Sequence, residues 1–326
     1  MMNNNEKRRH FMKLGIAAAG AITLPLLARA QAVPSAGQDR LVLLGTKGGP
    51  RVGDVKSPAS AWRMNPSSML VIGGVPYVID CGYGVSLQMV KAGVRLQDLR
   101  YIFITHHHSD HEIEYGNLIY NGWATGLNQV VDAYGPPGLE KMTSDFLALN
   151  QIDITTRIAD ESKPDLRTLV RAHDIHDLAN VMRNERVKVS ALYALHPPLN
   201  DSYAYKFEFD GKTVVFSGDT TYNPKLAEFA RGADYLVHET IYVPAVDAMV
   251  KRVPNAATLR KHLLGSHTTT EDVGRIAAAA QVKNLVLTHL VPGDDASITD
   301  AMWAEGVRRH YQGNIVVGKD LLSIDL

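Results

Sequence analysis

Short apolar, β-branched runs recur along the chain, divided by turn residues or by stretches with helical spacing. They read as strands at Leu41–Leu44, Met69–Ile72, Tyr77–Ile79, Tyr101–Ile104, Val130–Ala133, Val187–Tyr193, Tyr203–Phe209, Thr213–Phe216, Tyr235–Val237, Leu285–Leu287 and Ile315–Val317. Asp210-Gly211 between two of them signals a tight hairpin. Helical spacing covers Ser86–Ala92, Gly138–Leu149, Pro224–Ala230, Ala245–Arg252, Glu271–Ala280 and Thr299–His310, and Thr268-x-x-Glu271 reads as a capping box. Strands and helices interleave from end to end, with no fixed repeat and no composition shift. That predicts one α/β domain over residues 31–326. The polar, helix-prone stretch from about 150 to 185 reads as an insertion, a lid beside the active site.

The first thirty residues follow a different pattern. A basic segment, Arg8-Arg9-His10-Phe11-Met12-Lys13, precedes an apolar run from Leu14 to Leu27 and the small-x-small triplet Ala28-Arg29-Ala30. The order matches a twin-arginine export signal, so residues 1–30 are expected to be removed and the rest to work in the periplasm. The alternative is a short N-terminal anchor. The run is broken by Gly15, Gly20 and Pro25 and is short for a spanning helix, so no stable membrane span is expected after cleavage.

Removing that segment takes away five basic residues and one acidic residue from totals of 34 and 34. This leaves 29 and 33, a net charge near −4. An acidic surface argues against nucleic acid as a partner. The single cysteine, Cys81, excludes an internal disulfide and reads as a small core residue.

The chemistry concentrates in Thr105–His111, directly after the run Tyr101–Ile104. His106, His108, Asp110 and His111 form H-x-H-x-D-H, a set of imidazole and carboxylate ligands on one turn. Further candidates sit where other apolar runs end: His196 after Ala191–Leu195, Asp219 in Ser217-Gly218-Asp219-Thr220, and His289 after Leu285–Thr288. Side chains at strand ends can converge on one sheet edge. The expected arrangement gives a first metal His106, His108 and His196, and a second metal Asp110, His111 and His289, with Asp219 bridging. Two zinc ions, or other divalent metals, roughly 3.5–4 Å apart can share a water and bring its pKa toward neutrality, giving a bridging hydroxide nucleophile. Asp110 would also orient that water.

Other residues fall around this set. His267 in Ser266-His267-Thr268 is a candidate to protonate a leaving group or stabilise an oxyanion; the alternative is a helix-start hydrogen bond. At another strand end, Glu239 or His238 is expected to hold a ligand in orientation rather than to ligate. Asp80 is expected to be a buried acid that orients the metal-binding turn. His107 points away from a regular turn. His173 and His176, spaced i, i+3 on an expected helix, read as a solvated face.

With these residues in view, the chain resembles the metallo-β-lactamase superfamily, in the branch related to tRNase Z. The resemblance runs from Leu44-Gly45-Thr46-Lys47-Gly48-Gly49 through Asp80-Cys81-Gly82 and the His-rich turn. It continues through His196, Ser217-Gly218-Asp219-Thr220, His238-Glu239-Thr240 and Ser266-His267-Thr268-Thr269 to Thr288-His289. It implies an αββα sandwich of two mixed sheets flanked by helices, two zinc ions at one edge of the sheets, a role for His267 next to the reacting group, and frequent homodimers. One departure matters. RNA-processing members carry a long tRNA-gripping arm between the positions of His196 and Asp219, which here are only 23 apart.

The resulting expectation is a periplasmic dizinc hydrolase of a small-molecule ester, an aryl sulfate or a phosphodiester. A β-lactam or lactone hydrolase is the alternative, and a non-catalytic metal-binding protein ranks last. Pocket walls are expected from Ala245–Leu264 and Gln151–Glu185.

Overall fold

Alternation of apolar side chains along short strands lets each sheet bury both faces. Leu41 and Leu43 point into one buried layer while Val42 and Leu44 point into another. The computed structural model describes residues 38–53, 62–251 and 254–326; the N-terminal pattern read as an export signal lies outside the described residues.

The first sheet has the order β14-β1-β2-β3-β4-β5-β6. Its strands are β1 (Arg40–Gly45), β2 (Ser67–Ile72), β3 (Val75–Ile79), β4 (Tyr101–Phe103), β5 (Val131–Gly135), β6 (Val170–Asp174) and β14 (Leu322–Asp325). The second has the order β13-β12-β11-β10-β9-β8-β7. Its strands are β7 (Met182–Arg183), β8 (Val187–Tyr193), β9 (Tyr203–Phe209), β10 (Lys212–Phe216), β11 (Tyr235–Ile241), β12 (Asn284–Val291) and β13 (Asn314–Val317). Each is antiparallel in one half and parallel in the other. The expected αββα sandwich of two mixed sheets is the observed architecture.

Between the sheets lie Leu41, Leu43, Tyr205, Phe207 and Phe216. Phe207 meets Phe103 edge-on at 5.0 Å and Phe216 at 5.7 Å, the geometry that aromatic quadrupoles favour. The outer face of the first sheet is covered by α1 (Val85–Lys91), α3 (Tyr115–Ala124), α4 (Leu139–Leu149) and α5 (Gln151–Glu161), which follow the short α2 (Ser109–Glu112). The outer face of the second is covered by α6 (Pro224–Phe229), α9 (Thr270–Ala280) and α10 (Asp300–Arg308). A smaller cluster joins α7 (Val243–Val250) and α8 (Ala256–Ser266) to Ile241 and Val291.

Asp320 ties the end of β1 to the segment before β2. Its carboxylate accepts from Thr46 N (3.0 Å), Thr46 Oγ1 (2.7 Å) and Met64 N (2.6 Å). The residues that follow β1 are thereby held against the second sheet, where Leu290 N donates to Thr46 O at 2.8 Å.

Three expectations need correction. The segment 150–185 is not a lid: it supplies α5, then the edge strands β6 and β7, one for each sheet. Edge strands are half-exposed and carry charge, here Arg171 and Asp174, which hid the alternation. His173 accordingly lies on a strand, with Nε2 2.9 Å from Asp132 and its ring stacked on Tyr134. The capping box sits one residue later than expected. Thr269 Oγ1 accepts from Asp272 N at 3.2 Å and donates to Asp272 Oδ2 at 3.0 Å, while Thr268 N is engaged by Glu239.

Fully buried Tyr205 donates from its hydroxyl to Ile104 O at 2.7 Å, joining the second sheet to the residue just before the His-rich turn. Tyr205→Phe leaves that carbonyl without its donor and is expected to cost about 1–3 kcal/mol, read as a lower urea midpoint with an unchanged slope. A midpoint equal to the wild type would contradict this coupling.

Candidate metal centre

The His-rich turn leaves the end of β4 and is held by one acid. Asp80, just past β3, adopts a left-handed backbone (φ 62°) and is buried. Its carboxylate accepts from Thr105 N (2.8 Å), Thr105 Oγ1 (2.9 Å) and His111 Nδ1 (2.8 Å). These bonds join the first residue of the turn and the His111 ring to one acid. Cys81 is fully buried in the core of the first sheet, and burial raises its thiol pKa well above the ordinary value.

These contacts fix ring tautomers. Thr105 Oγ1 gives its proton to Asp80, so it accepts from His106 Nδ1 at 2.9 Å. His196 Nδ1 donates to Ser266 O at 2.8 Å. With the Nδ1–H groups of His106, His111 and His196 so engaged, their Nε2 atoms turn inward. His108 Nδ1 lies 3.1 Å from His106 Nε2 and 3.0 Å from His196 Nε2. One His108 proton could serve only one of them.

The second group lies beside the first. His289 Nε2 is 3.5 Å from Asp110 Oδ2 and 3.1 Å from Asp219 Oδ2; His111 Nε2 is 3.6 Å and 3.3 Å from the same two oxygens. Asp219 Oδ2 also stands 3.8 Å from His106 Nε2 and 3.9 Å from His196 Nε2, which places this carboxylate between the groups. His111 Nε2, His289 Nε2 and Asp219 Oδ1 are buried without hydrogen-bond partners. Buried ligand atoms facing one another in sets of three, all within 4.8 Å, fit divalent cations that displace any ring protons between them. His106, His108 and His196 form one such set, Asp110, His111 and His289 another, with Asp219 within reach of both.

Local irregularities place the later residues. His289 is left-handed (φ 43°) and sits where the β11–β12 register slips by one residue, a bulge that re-aims its ring. Gly48 passes so close to that ring that a Cβ would lie 2.5 Å from it, so only glycine fits. The neighbouring Gly49 N donates to Asp110 Oδ2 at 2.9 Å.

Burial sets the titration of this cluster, and neighbouring charge then modifies it. Burial pushes His106 well below the usual imidazole range and His108 to about 4. Burial would lower His289 too, but Asp219 and Asp110 outweigh it and raise it to about 10; His111 is raised for the same reason by Asp219, Asp80 and Asp110. Asp219 is depressed although burial opposes that, because His289 and His111 face it.

Of the pair at the end of β11, Glu239 reaches the site. Its Oε1 accepts from Thr220 N (3.2 Å), Thr268 N (3.0 Å) and His267 Nδ1 (3.2 Å). His238 does not serve a ligand as expected. Strand alternation puts it on the helix-covered face, where Nδ1 donates to Glu239 O at 2.6 Å. His107 bonds Glu112 at 2.7 Å, away from the centre.

Beyond the centre opens a cavity of about 330 Å³. His108, Asp110, Asp219, His267 and His289 line its floor; Lys47 and Arg51 line one side, and Met249, Leu259 and Leu263 of α7 and α8 another. No residue of 150–185 lines it. His262 on α8 also faces this cavity. A lone histidine in a polar helix carries no spacing signal, and sequence reasoning passed over it.

The family model described as anti-Pycsar protein Apyc1 matches residues 56–253. Ribonuclease Z of Mycobacterium sp. strain KMS is 31% identical over 271 residues, spanning 82% of this chain and 91% of the relative. Among solved structures, the metallo-β-lactamase fold protein YhfI from Bacillus subtilis superposes with a TM-score of 0.63 at 17% identity, covering 89% of this chain and 100% of its own. Zinc-bound PqqB from Methylobacterium extorquens gives 0.66 at 15% identity, covering 88% and 100%. These two solved structures share the fold.

Two outcomes follow from the geometry. Asp80→Asn cannot accept all three bonds, and is expected to weaken zinc affinity about 10- to 100-fold in chelator competition. An unchanged affinity would show that the turn holds itself. In the metal-free protein His289 stays protonated up to about 10. Zinc uptake near pH 7.5 must therefore expel a proton, and affinity must rise with pH. Calorimetry in buffers of different ionisation enthalpy reads this release; a heat independent of buffer would contradict it.

Proposed function

The chain belongs to the metallo-β-lactamase superfamily, in the tRNase Z-like branch that includes ribonuclease Z, and on that basis we propose that it hydrolyses a small phosphodiester with two zinc or other divalent ions. The observation that carries this reading is the cavity: a floor of convergent imidazoles and carboxylates beside the cationic side chains Lys47 and Arg51. A monoanionic ester matches that charge, and the volume suits a small molecule. An aryl sulfate carries the same charge and is the neighbouring choice.

Bound at this centre, the ions would supply an acidified water and positive charge for the oxygen that becomes anionic. Asp110 is fixed by Gly49 N–H beside His289, positioned to orient a water. Glu239 holds the Nδ1–H of His267, leaving Nε2 for the substrate side. A proton held there can pass to the departing oxygen as its bond to phosphorus breaks.

The names of the curated relatives favour RNA as a second reading. Against it stands the interval from His196 to Asp219, which holds only the hairpin of β9 and β10. We therefore keep a small-molecule substrate, with no nucleic-acid partner, as the leading proposal. The twin-arginine pattern supports a periplasmic site of action.

A zinc-loaded panel tests this: diphenyl phosphate, bis(4-nitrophenyl) phosphate, 4-nitrophenyl sulfate, nitrocefin and a tRNA precursor. Turnover of the diesters above the rest is expected; cleavage of only the tRNA or nitrocefin would overturn the proposal. His267→Ala is expected to lower kcat on diphenyl phosphate about 10²-fold or more, with a smaller loss on the better leaving group and zinc content unchanged. Equal losses on both esters would remove the proton-donor role.

A further inference from the structure

We infer that His262 contacts the substrate, accepting a hydrogen bond at Nε2 from a hydroxyl or N–H group carried next to the scissile ester. The reaction it assumes is the phosphodiester hydrolysis proposed above; the role of the residue stands on its own geometry. His262 is half-buried on α8 and lines the cavity. Its ring meets His267, His196 and His108 edge to face, with centroids 5.9, 6.1 and 6.4 Å away. It thus stands one imidazole outward from the centre. Among the described residues, no set able to hold an ion includes it.

A relay through Ser266 fixes which ring nitrogen keeps the lone pair. Ser266 Oγ has one proton, which goes to Pro197 O at 2.6 Å. The same Oγ lies 3.3 Å from His262 Nδ1 and can only accept there, so Nδ1 carries the ring proton. A neutral imidazole protonated at Nδ1 has its lone pair at Nε2. The side chains that share this wall, Met249, Leu259 and Leu263, offer no donor. Lys47, which also lines the cavity, gives a proton to Gly49 O at 2.9 Å. An acceptor next to an apolar wall and above a reactive centre discriminates by chemistry: a substrate with a donor satisfies it, and one without leaves it bare.

The test compares ethyl 4-nitrophenyl phosphate with 2-hydroxyethyl 4-nitrophenyl phosphate near pH 8, corrected for spontaneous cleavage. The zinc-loaded wild type is expected to prefer the hydroxylated ester about five- to tenfold in kcat/KM, the worth of one neutral hydrogen bond. His262→Leu is expected to abolish that preference while cleaving the ethyl ester within about threefold of the wild type, the discrimination and not the chemistry being lost. His262→Gln, which can still accept, is expected to restore part of it. Zinc content and melting temperature should match the wild type in both variants. Equal cleavage of the two esters by the wild type would overturn the inference and leave the phosphodiester reading intact. So would a His262→Leu loss that is the same on both esters, or a loss of zinc. Failure of the wild type to cleave either ester would overturn the phosphodiester reading and the inference with it.

Discussion

At the heart of this fold His108 Nδ1 lies 3.1 Å from His106 Nε2 and 3.0 Å from His196 Nε2, two nitrogens whose rings direct their protons outward. In this cluster a proton on His108 Nδ1 can satisfy one of the two and leaves the other bare. The polar bonds around it act to maintain it: Asp80 and Thr105 under the turn, the Ser266 carbonyl behind His196, and Gly49 N–H on Asp110. The cluster fits a divalent cation, and the surrounding fold acts as a scaffold that keeps its donor atoms in place.

Both sheets contribute to that scaffold. The turn follows β4 in the first sheet, whereas Asp219, Glu239 and His289 come from the ends of β10, β11 and β12 in the second. The aromatic layer of Phe103, Phe207 and Phe216 holds the two sheets in register, and the Tyr205 hydroxyl carries that register to the base of the turn. A packing fault between the sheets would therefore be felt as a misplaced ligand.

Much of this was legible in the sequence because ligand chemistry is local. H-x-H-x-D-H requires only a strand end and a turn, and the later histidines and Asp219 announce themselves by ending apolar runs. What escaped depended on tertiary context. The edge strands β6 and β7 carry too much charge to read as strands, so residues 150–185 resembled an insertion. The cavity wall does come from the expected stretch Ala245–Leu264, but as helices α7 and α8, and the weak amphipathic spacing of α8 did not show it as a helix. The choice between His238 and Glu239 turned on which face of β11 points inward, and His262 became visible only when α8 was seen to close over the centre.

The Asp320 carboxylate has a consequence for how the molecule matures. Thr46 and Asp320 are 274 positions apart, yet their bonds hold the segment that leads to Gly48 and Gly49. A chain emerging from the ribosome has the His-rich turn long before it has this clasp. The loop that presents Gly49 N–H to Asp110 can be clasped in this way only once residue 320 has been made.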